Sequence, residues 1–176
     1  SRYACIGGAF GQADLYQFVA NEPSVRLAHT DITHGPQILA ALPMFTAINS
    51  VLEVDLLGQA NAETAALPKG GRRQVGGIGG LVDFANGGLA APGGRSVIAL
   101  TSRTRDDSSG LSRIVPKLQH EITLTEAQAD VVVTEHGLAN LRGVSRAERI
   151  RQMIQLAHPD HRDWLEQQSR VMKLAG

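Results

Sequence analysis

The sequence predicts an α/β domain with an open sheet of mainly parallel strands, and three observations support this prediction. Its 176 residues suffice for one substantial domain with a hydrophobic core. Hydrophobic residues make up 43% of the chain and aromatic residues only 4%, so the core should consist of Leu, Ile, Val and Ala. Short apolar, β-branched segments occur along the chain, as in strands whose sheet is covered on both faces. We therefore expect a sheet with flanking helices on both sides.

The first half of the chain opens with a predicted strand and helix. Tyr3–Ala9 is a short apolar segment, and Gly11–Ala20 carries apolar residues at helical spacing. A second strand is predicted at Val25–Ala28. The Asp, Gly and Pro residues of Thr30–Pro36 predict a loop. Phe45–Leu57 is rich in β-branched and apolar residues, which predicts one long strand or a bent hairpin strand.

The second half contains a glycine-rich segment, two further strands and two helices. Lys69–Gly94 is too apolar for a flexible linker and is interpreted as an ordered, tightly turned loop. Arg95–Leu100 and Ala129–Thr134 are short and apolar, which predicts buried strands. Ser145 opens the sequence S-R-A-E, a capping box that predicts a helix start. Residues 162–174 are predicted to form the last helix.

Charge and composition exclude several classes of function. Lys plus Arg and Asp plus Glu each number 17, so no basic field is available for nucleic acid or an anionic membrane. The single cysteine, the absence of a long apolar run and the absence of a signal-peptide pattern predict a cytoplasmic protein. The six histidines lack a completing Cys or carboxylate cluster, so no metal site is expected. The chain does not begin with Met, and we expect it to derive from a longer protein.

The glycines of VGGIGGLVDFANGG, Val75–Gly88, form the first candidate site. Glycine permits positive φ and leaves no Cβ, so successive backbone N–H groups can point at a ligand. Such donors suit a phosphate or the oxyanion that forms when a thioester carbonyl is attacked. The alternative is a pair of tight turns where two backbones cross closely.

Glu135 and His136 form the second candidate site, because they follow a predicted buried strand that breaks at Gly137. Open α/β sheets place ligand-facing groups at such strand ends. In the alternative interpretation, Glu135 pairs with Arg142 or another base and anchors the turn. His136 is expected to be a hydrogen-bonded structural residue.

The basic, hydroxyl-rich segment Thr101–Arg113 forms the third candidate site. Arg103 and Arg105 follow a predicted strand and could bind a phosphate or carboxylate through two hydrogen bonds each. A charged loop after a strand is, in the alternative interpretation, simply solvated.

Taken together, these segments resemble the C-terminal domain of the acetyl-CoA hydrolase/transferase family, which includes acetate, succinate and 4-hydroxybutyrate CoA-transferases. The similar motifs occur in the family's order at residues 47–63, 76–84, 96–116, 131–143 and 157–165. The string VTE-x-G-x-A-x-LRG within Val131–Gly143 is the most specific of them. The resemblance implies an α/β, CoA-transferase-like fold with an open, mainly parallel sheet.

The resemblance also implies a mechanism and a set of site residues. In the family, a glutamate attacks the acyl-CoA thioester, and a mixed anhydride and a glutamyl-CoA thioester follow. Gly80 corresponds to the oxyanion-hole glycine, and Glu135 corresponds to a glutamate that lines the substrate cavity. The implied coenzyme A contacts are Arg105 in place of a lysine and His34 in place of an asparagine, and Gly77 and Gly79 are expected to bind the same coenzyme through their backbone N–H groups. CoA would be a co-substrate, and no permanently bound cofactor is expected.

The family's nucleophilic glutamate precedes the segment that resembles Tyr3–Val19, and no motif of its kind occurs in this chain. We therefore expect residues 1–176 to be a single domain, the C-terminal half of a two-domain enzyme, and to be inert alone. The expected partners are an acyl-CoA, a small carboxylate, the missing N-terminal domain and further copies in a homo-oligomer. The alternatives are an acyl-CoA hydrolase on the same scaffold, with water as acceptor, and a non-catalytic ligand-binding domain.

Overall fold

The computed structural model describes residues 3–67, 70–104 and 110–174. Strands and helices alternate along the first part of the chain, and two helices end it. In chain order the elements are β1 (Ala4–Ile6), α1 (Ala13–Asn21), β2 (Val25–Leu27), α2 (Thr30–Thr33), α3 (Pro36–Ala40), β3 (Thr46–Ser50), β4 (Glu53–Asp55), β5 (Ala60–Asn61), β6 (Thr64–Ala66), β7 (Arg72–Gln74), α4 (Leu81–Ala90), β8 (Arg95–Ala99), β9 (Ile114–Val115), β10 (Val131–Thr134), β11 (Gly137–Asn140), α5 (Arg146–Leu156) and α6 (Pro159–Val171).

The central sheet has the strand order β11-β10-β8-β3. β3, β8 and β10 are parallel, and β11 pairs with β10 in the antiparallel direction at one edge. Smaller sheets are formed by β5-β4-β9, by the β6-β7 hairpin and by the parallel pair β1-β2. The prediction of an open, mainly parallel sheet with flanking helices is confirmed.

Helices α4 and α5 cover one face of the central sheet. Ile98 of β8 and Val132 of β10 are fully buried in the core there, together with Met153 of α5. On the opposite face, Ile48 is 71% exposed and Leu138 is 68% exposed. The expected coverage of both faces is therefore wrong for the described residues, because no described helix packs on that second face.

The glycine-rich segment Lys69–Gly94 is not one tightly turned loop. It contains β7, an exposed loop and the helix α4. A Cβ at Gly87 would meet Leu39 of α3, and a Cβ at Gly88 would collide with the backbone oxygen of Arg95. These two glycines disfavour a helix locally, but tertiary packing requires them because α4 approaches its neighbours closely.

Two other predictions differ from the structure. Thr30–Pro36 is not a loop, because α2 and the start of α3 occupy it. Phe45–Leu57 is not one strand, since β3 joins the central sheet whereas β4 pairs with β5 and β9. Glu53 and Asp55 of β4 are both buried, and Arg72 pairs with Glu53 at 2.5 Å.

The remaining predicted elements are present at or near their predicted positions. The first strand, first helix and second strand correspond to β1, α1 and β2, and the two later strands correspond to β8 and β10. Ser145 caps α5, since its hydroxyl oxygen accepts the N–H of Glu148 at 3.2 Å. The last helix begins earlier than predicted, at Pro159, where the proline occupies the first turn after the N-cap residue His158.

Candidate functional site

The candidate site lies at the edge of the central sheet where the parallel strands end. Ser102 follows β8 and Glu135 follows β10, and these strands are neighbours in parallel register. Helix α4 runs antiparallel to β8, because Gly88 near the end of α4 packs against Arg95 at the start of β8. Gly80, which precedes α4, therefore belongs to the same edge, where open α/β sheets bind ligands.

Glu135 and His136 are the two residues that connect β10 to β11. The antiparallel register pairs Thr134 with Gly137, so both side chains belong to a tight hairpin turn. Gly137 has a φ of +135°, a conformation that side chains disfavour. The strand therefore ends where the sequence predicts, but the chain turns back into a further strand.

Ser102 binds the carboxylate of Glu135 through three hydrogen bonds. Its hydroxyl donates to Oε1 at 2.6 Å, and its backbone N–H donates to Oε2 at 2.9 Å and to Oε1 at 3.2 Å. The proposed pairing of Glu135 with Arg142 is wrong, because Arg142 donates to Oδ2 of the buried Asp130 at 2.9 Å. Glu135 is anchored by a hydroxyl and an amide, and its side chain remains 45% exposed.

These contacts determine the charge of Glu135. Partial burial raises the pKa of its carboxyl. The hydrogen bonds from Ser102 and the nearby His136 together lower that pKa by more than burial raises it, so the net pKa lies below the usual 4.5. Glu135 is therefore an ionised hydrogen-bond acceptor at neutral pH.

His136 lies beside this carboxylate. Its Nε2 is 3.6 Å from Oε1 of Glu135, and its backbone N–H donates to the hydroxyl oxygen of Thr134 at 3.1 Å. The His158 ring packs edge-on against it, with ring centres 5.5 Å apart. The Thr134 contact is made by the backbone, so the expectation that His136 is a hydrogen-bonded structural residue stays a prediction.

The glycine loop, residues 75–80, connects β7 to α4 at the surface. Gly76, Gly77 and Gly79 are exposed, and a Cβ at any of them would meet nothing within 4 Å. Gly79 has a φ of +57°. The alternative of closely crossing backbones therefore does not hold for these three glycines, whose main chain is open to a ligand.

The N–H groups of this loop are available as donors. The Gly76 N–H donates to the backbone oxygen of Glu63 at 3.2 Å. Within the described part of the chain, the N–H groups of Gly77, Gly79 and Gly80 donate to no acceptor. Available donors at a helix start, where the helix dipole is positive, favour an anionic group.

Gly80 and His34 are in direct contact, although 45 residues separate them in the sequence. A Cβ at Gly80 would collide with the imidazole of His34. Nδ1 of that imidazole is hydrogen-bonded to the Thr33 hydroxyl at 2.7 Å. The ring packs edge-on against Phe84, with ring centres 4.9 Å apart. The structure thus brings two predicted site residues, Gly80 and His34, together.

The two predicted arginines of the third candidate site, Arg103 and Arg105, have different outcomes. Arg105 lies outside the described residues, so its predicted contact with coenzyme A stays a prediction. No hydrogen bond among the described residues joins Glu135 to the Gly80 and His34 pair. Nη1 of Arg103 lies 3.7 Å from Oδ2 of Asp160. Sequence reasoning missed Ser102, and the only signal for it was a hydroxyl residue shortly after a predicted strand.

Concavities occur both beside this edge and away from it. One of about 400 Å³ is lined by residues that include Gly7 and Leu27, and Gly7 lies beside His34. Another of about 460 Å³ is lined by residues that include Leu111 and Trp164, and among described residues its lining contains neither Glu135 nor a loop glycine. Within the described ranges, no group of three or more His, Cys, Asp or Glu is arranged to hold a metal ion. No helix in the described part of the chain is long and apolar enough to cross a bilayer.

Comparisons with known proteins give this chain a family context. Residues 11–169 match the model of the acetyl-CoA hydrolase/transferase C-terminal domain. The butyryl-CoA:acetate CoA-transferase of Anaerostipes caccae is 36% identical over 160 residues, which cover 89% of this chain and 35% of that protein. The chain therefore spans about a third of the length of such relatives.

Solved structures agree with this match. RipA from Yersinia pestis superposes with a TM-score of 0.86 at 34% identity, covering 98% of this chain and 38% of RipA. The 4-hydroxybutyrate CoA-transferase from Porphyromonas gingivalis superposes with a TM-score of 0.75 at 32% identity, covering 97% of this chain and 38% of that one.

Proposed function

The chain belongs to the acetyl-CoA hydrolase/transferase family as its C-terminal domain, and from this premise we propose that it forms one side of the active site of a CoA-transferase. The whole enzyme would move coenzyme A from an acyl-CoA to a small carboxylate. This chain would supply the oxyanion donor Gly80 and the substrate-facing carboxylate Glu135. The nucleophilic glutamate would come from polypeptide that precedes residue 1.

The proposed reaction has two covalent stages. The glutamate carboxylate attacks the thioester carbonyl, and the C–S bond breaks to release the CoA thiolate and leave a mixed anhydride. The thiolate then attacks the glutamyl carbonyl, which releases the first carboxylate and forms glutamyl-CoA. The acceptor carboxylate reverses these steps. Each attack creates a tetrahedral oxyanion that backbone donors can stabilise.

The availability of the loop N–H groups is the single observation that carries this proposal. Gly77, Gly79 and Gly80 are accessible from solvent or half-buried, and none donates within the described part of the chain. One such donor contributes about 2.7–4 kcal/mol to the stabilisation of an oxyanion. His34, in contact with Gly80, would form the wall of this donor site and contact the coenzyme.

Glu135, which follows β10, also supports the proposal that this edge forms one side of an active site. Ser102 holds its carboxylate in one orientation, and the lowered pKa keeps the group ionised at neutral pH. An ionised, half-exposed carboxylate can accept hydrogen bonds from a substrate but cannot donate a proton to it. We assign Glu135 to substrate binding.

The test uses the full-length enzyme that contains this chain. Incubation with an acyl-CoA followed by borohydride should reduce the glutamyl-CoA thioester, which releases CoA as the thiol and leaves an alcohol side chain in place of the glutamate on a peptide upstream of residue 1, and a labelled carboxylate should enter the acyl-CoA pool. The 176-residue chain alone should show neither, since loss of a nucleophile costs about 10⁶ in rate. Absence of both signals in the full-length enzyme would count against the proposal.

The same experiment separates the alternatives. Consumption of acyl-CoA without an added carboxylate would identify a hydrolase, because water would then be the acceptor. An upstream segment with no reactive glutamate, together with retained acyl-CoA binding, would identify a non-catalytic ligand-binding protein.

A further inference from the structure

The β1-α1-β2 unit, residues 3–29, is structurally incomplete within the described residues. None of its residues is buried, and both faces of the two-stranded parallel sheet are accessible. Parallel strands normally have both faces covered, and a two-stranded sheet is at best marginally stable in water. The unit therefore has the character of a fragment of a larger sheet.

Its exposed side chains are unusually apolar. Phe10 is 93% exposed, Leu27 is 69% exposed and Phe18 is 56% exposed. Three large apolar side chains within one short unit indicate an interaction surface rather than a solvated one.

Among the described residues, some backbone hydrogen-bonding groups of this unit have no partner. The Ala4 N–H donates to the Ser24 oxygen at 2.7 Å, and the Ala28 N–H donates to the Ile6 oxygen at 3.0 Å. Because the groups alternate along a parallel strand, the N–H of Cys5 lies on the edge of β1 away from β2. An additional strand could pair there, as in other cases of sheet extension.

The carboxyl end of β1 is connected to the candidate site. Gly7 follows β1, and a Cβ on it would lie 3.1 Å from the Thr33 hydroxyl and 3.2 Å from Cε1 of His34. The end of β1 is therefore next to His34 and, through it, next to Gly80. The incomplete sheet and the donor loop are adjacent surfaces.

We propose that β1 and β2 are strands of a larger parallel sheet whose other strands and covering helices come from the polypeptide that precedes residue 1 in the same protein. This inference rests on the proposed function, in which this chain is the C-terminal part of a longer enzyme. Two observations favour the preceding polypeptide as the segment that completes the β1-β2 sheet. Relatives are almost three times as long as the matched region, which covers 35% of the transferase, and β1 begins at Ala4, so preceding polypeptide would enter at this pair.

Cys5 allows a direct test because it is the chain's single cysteine and it is exposed. Its reaction with N-ethylmaleimide would be followed by mass spectrometry of the β1 peptide. In the native full-length enzyme, labelling should be at least about 100-fold slower than in the urea-unfolded enzyme, as for a group that only local opening exposes. In the 176-residue chain it should be within a few-fold of the unfolded rate.

Hydrogen exchange tests the strand pairing itself. The N–H groups of Cys5 and Leu27 lie on the two outer edges of the pair, and at least one should exchange about 100-fold more slowly in the full-length enzyme than in the 176-residue chain. The proposal is overturned if both amides and the Cys5 thiol react in the native full-length enzyme as they do when unfolded.

Concentration dependence identifies the occupant. Protection that the full-length enzyme shows equally at low and high protein concentration comes from its own polypeptide. Protection that appears only as concentration rises, in either protein, would assign the surface to a second copy and overturn the proposal. These measurements use no CoA, so an enzyme inactive in CoA transfer still tests the interface.

Discussion

The Ser102 hydroxyl donates a hydrogen bond of 2.6 Å to the Glu135 carboxylate across neighbouring parallel strand ends. Ser102 is fully buried, so its position is fixed by the core, whereas the Glu135 side chain faces the open edge. The buried residue therefore orients the exposed one. Any role of Glu135 toward a substrate depends on this contact.

Replacement Ser102→Ala should raise the pKa of Glu135 toward 4.5, because the hydroxyl bond that lowers it is lost while burial still raises it. Titration of the Glu135 carboxyl by carbon-13 NMR would measure the shift. Ser112→Ala is the matched control, since the Ser112 hydroxyl donates to the Ile114 oxygen at 2.6 Å and does not contact Glu135. An unchanged titration of Glu135 in Ser102→Ala would contradict the assigned contact.

The same shift predicts the sign of a pH effect on stability. The folded pKa of Glu135 is lowered, so its stabilising contribution is present above pH 4.5 and is lost as the pH falls through the folded pKa. The difference in unfolding free energy between the native chain and Ser102→Ala should therefore shrink on acidification through this range. A difference that grows instead would be inconsistent with the sign.

Gly80→Ala should reduce kcat of the full-length enzyme by about 10²–10³-fold, because the added Cβ collides with His34 and displaces the proposed donor. Gly76→Ala is the matched control in the same loop, where a Cβ meets nothing within 4 Å and the N–H already donates to Glu63. Steady-state kinetics of both variants would measure the effect. Equal activity of the two variants would show that the added Cβ does not displace a donor on which the rate depends, and would count against the proposed role of the Gly80 N–H.

Gly88→Ala should lower the free energy of unfolding by about 1–3 kcal/mol, as overpacking in a core does. Alanine is favoured over glycine in a helix by about 0.5–1 kcal/mol, but the new Cβ would collide with the backbone oxygen of Arg95, so the main chain would have to shift. Urea unfolding would measure the change, with Gly76→Ala expected within about 0.5 kcal/mol of the native chain. A stabilised Gly88→Ala variant would show that α4 can shift.

Asp55→Asn should remove a pH dependence of stability. Burial raises the pKa of Asp55 above 3.8, although hydrogen bonds from Gln59, Leu118 and Leu57 oppose this shift. A raised folded pKa gives stability that is complete below the unfolded pKa and is lost as the pH rises through the folded one. Urea unfolding from pH 4 upward should therefore show the native chain losing stability relative to Asp55→Asn. If the unfolding free energies of the native chain and of Asp55→Asn changed equally with pH, this prediction would be refuted.

Local patterns in the sequence predicted much of the secondary structure and one end of the candidate site. Short β-branched segments predicted β8 and β10, and a capping box predicted the start of α5, because these signals act within a few residues. The glutamate at the end of β10 was identified from its place after a buried strand. The glycine run identified Gly80 as one of several candidate donors, and the family resemblance added its specific role and the residue His34, which no local pattern connects to it.

The amino-acid sequence by itself determined the fold class and the position of the glycine run, because apolar periodicity and missing Cβ atoms act locally, but it left open whether that run is exposed. Only the tertiary structure decided the partners of each group. It placed His34 against Gly80, joined Ser102 rather than Arg142 to Glu135, and made a helix of the segment around Gly87 and Gly88. Contacts between distant segments depend on which surfaces pack together, and packing energy outweighs the local preferences of the residues involved.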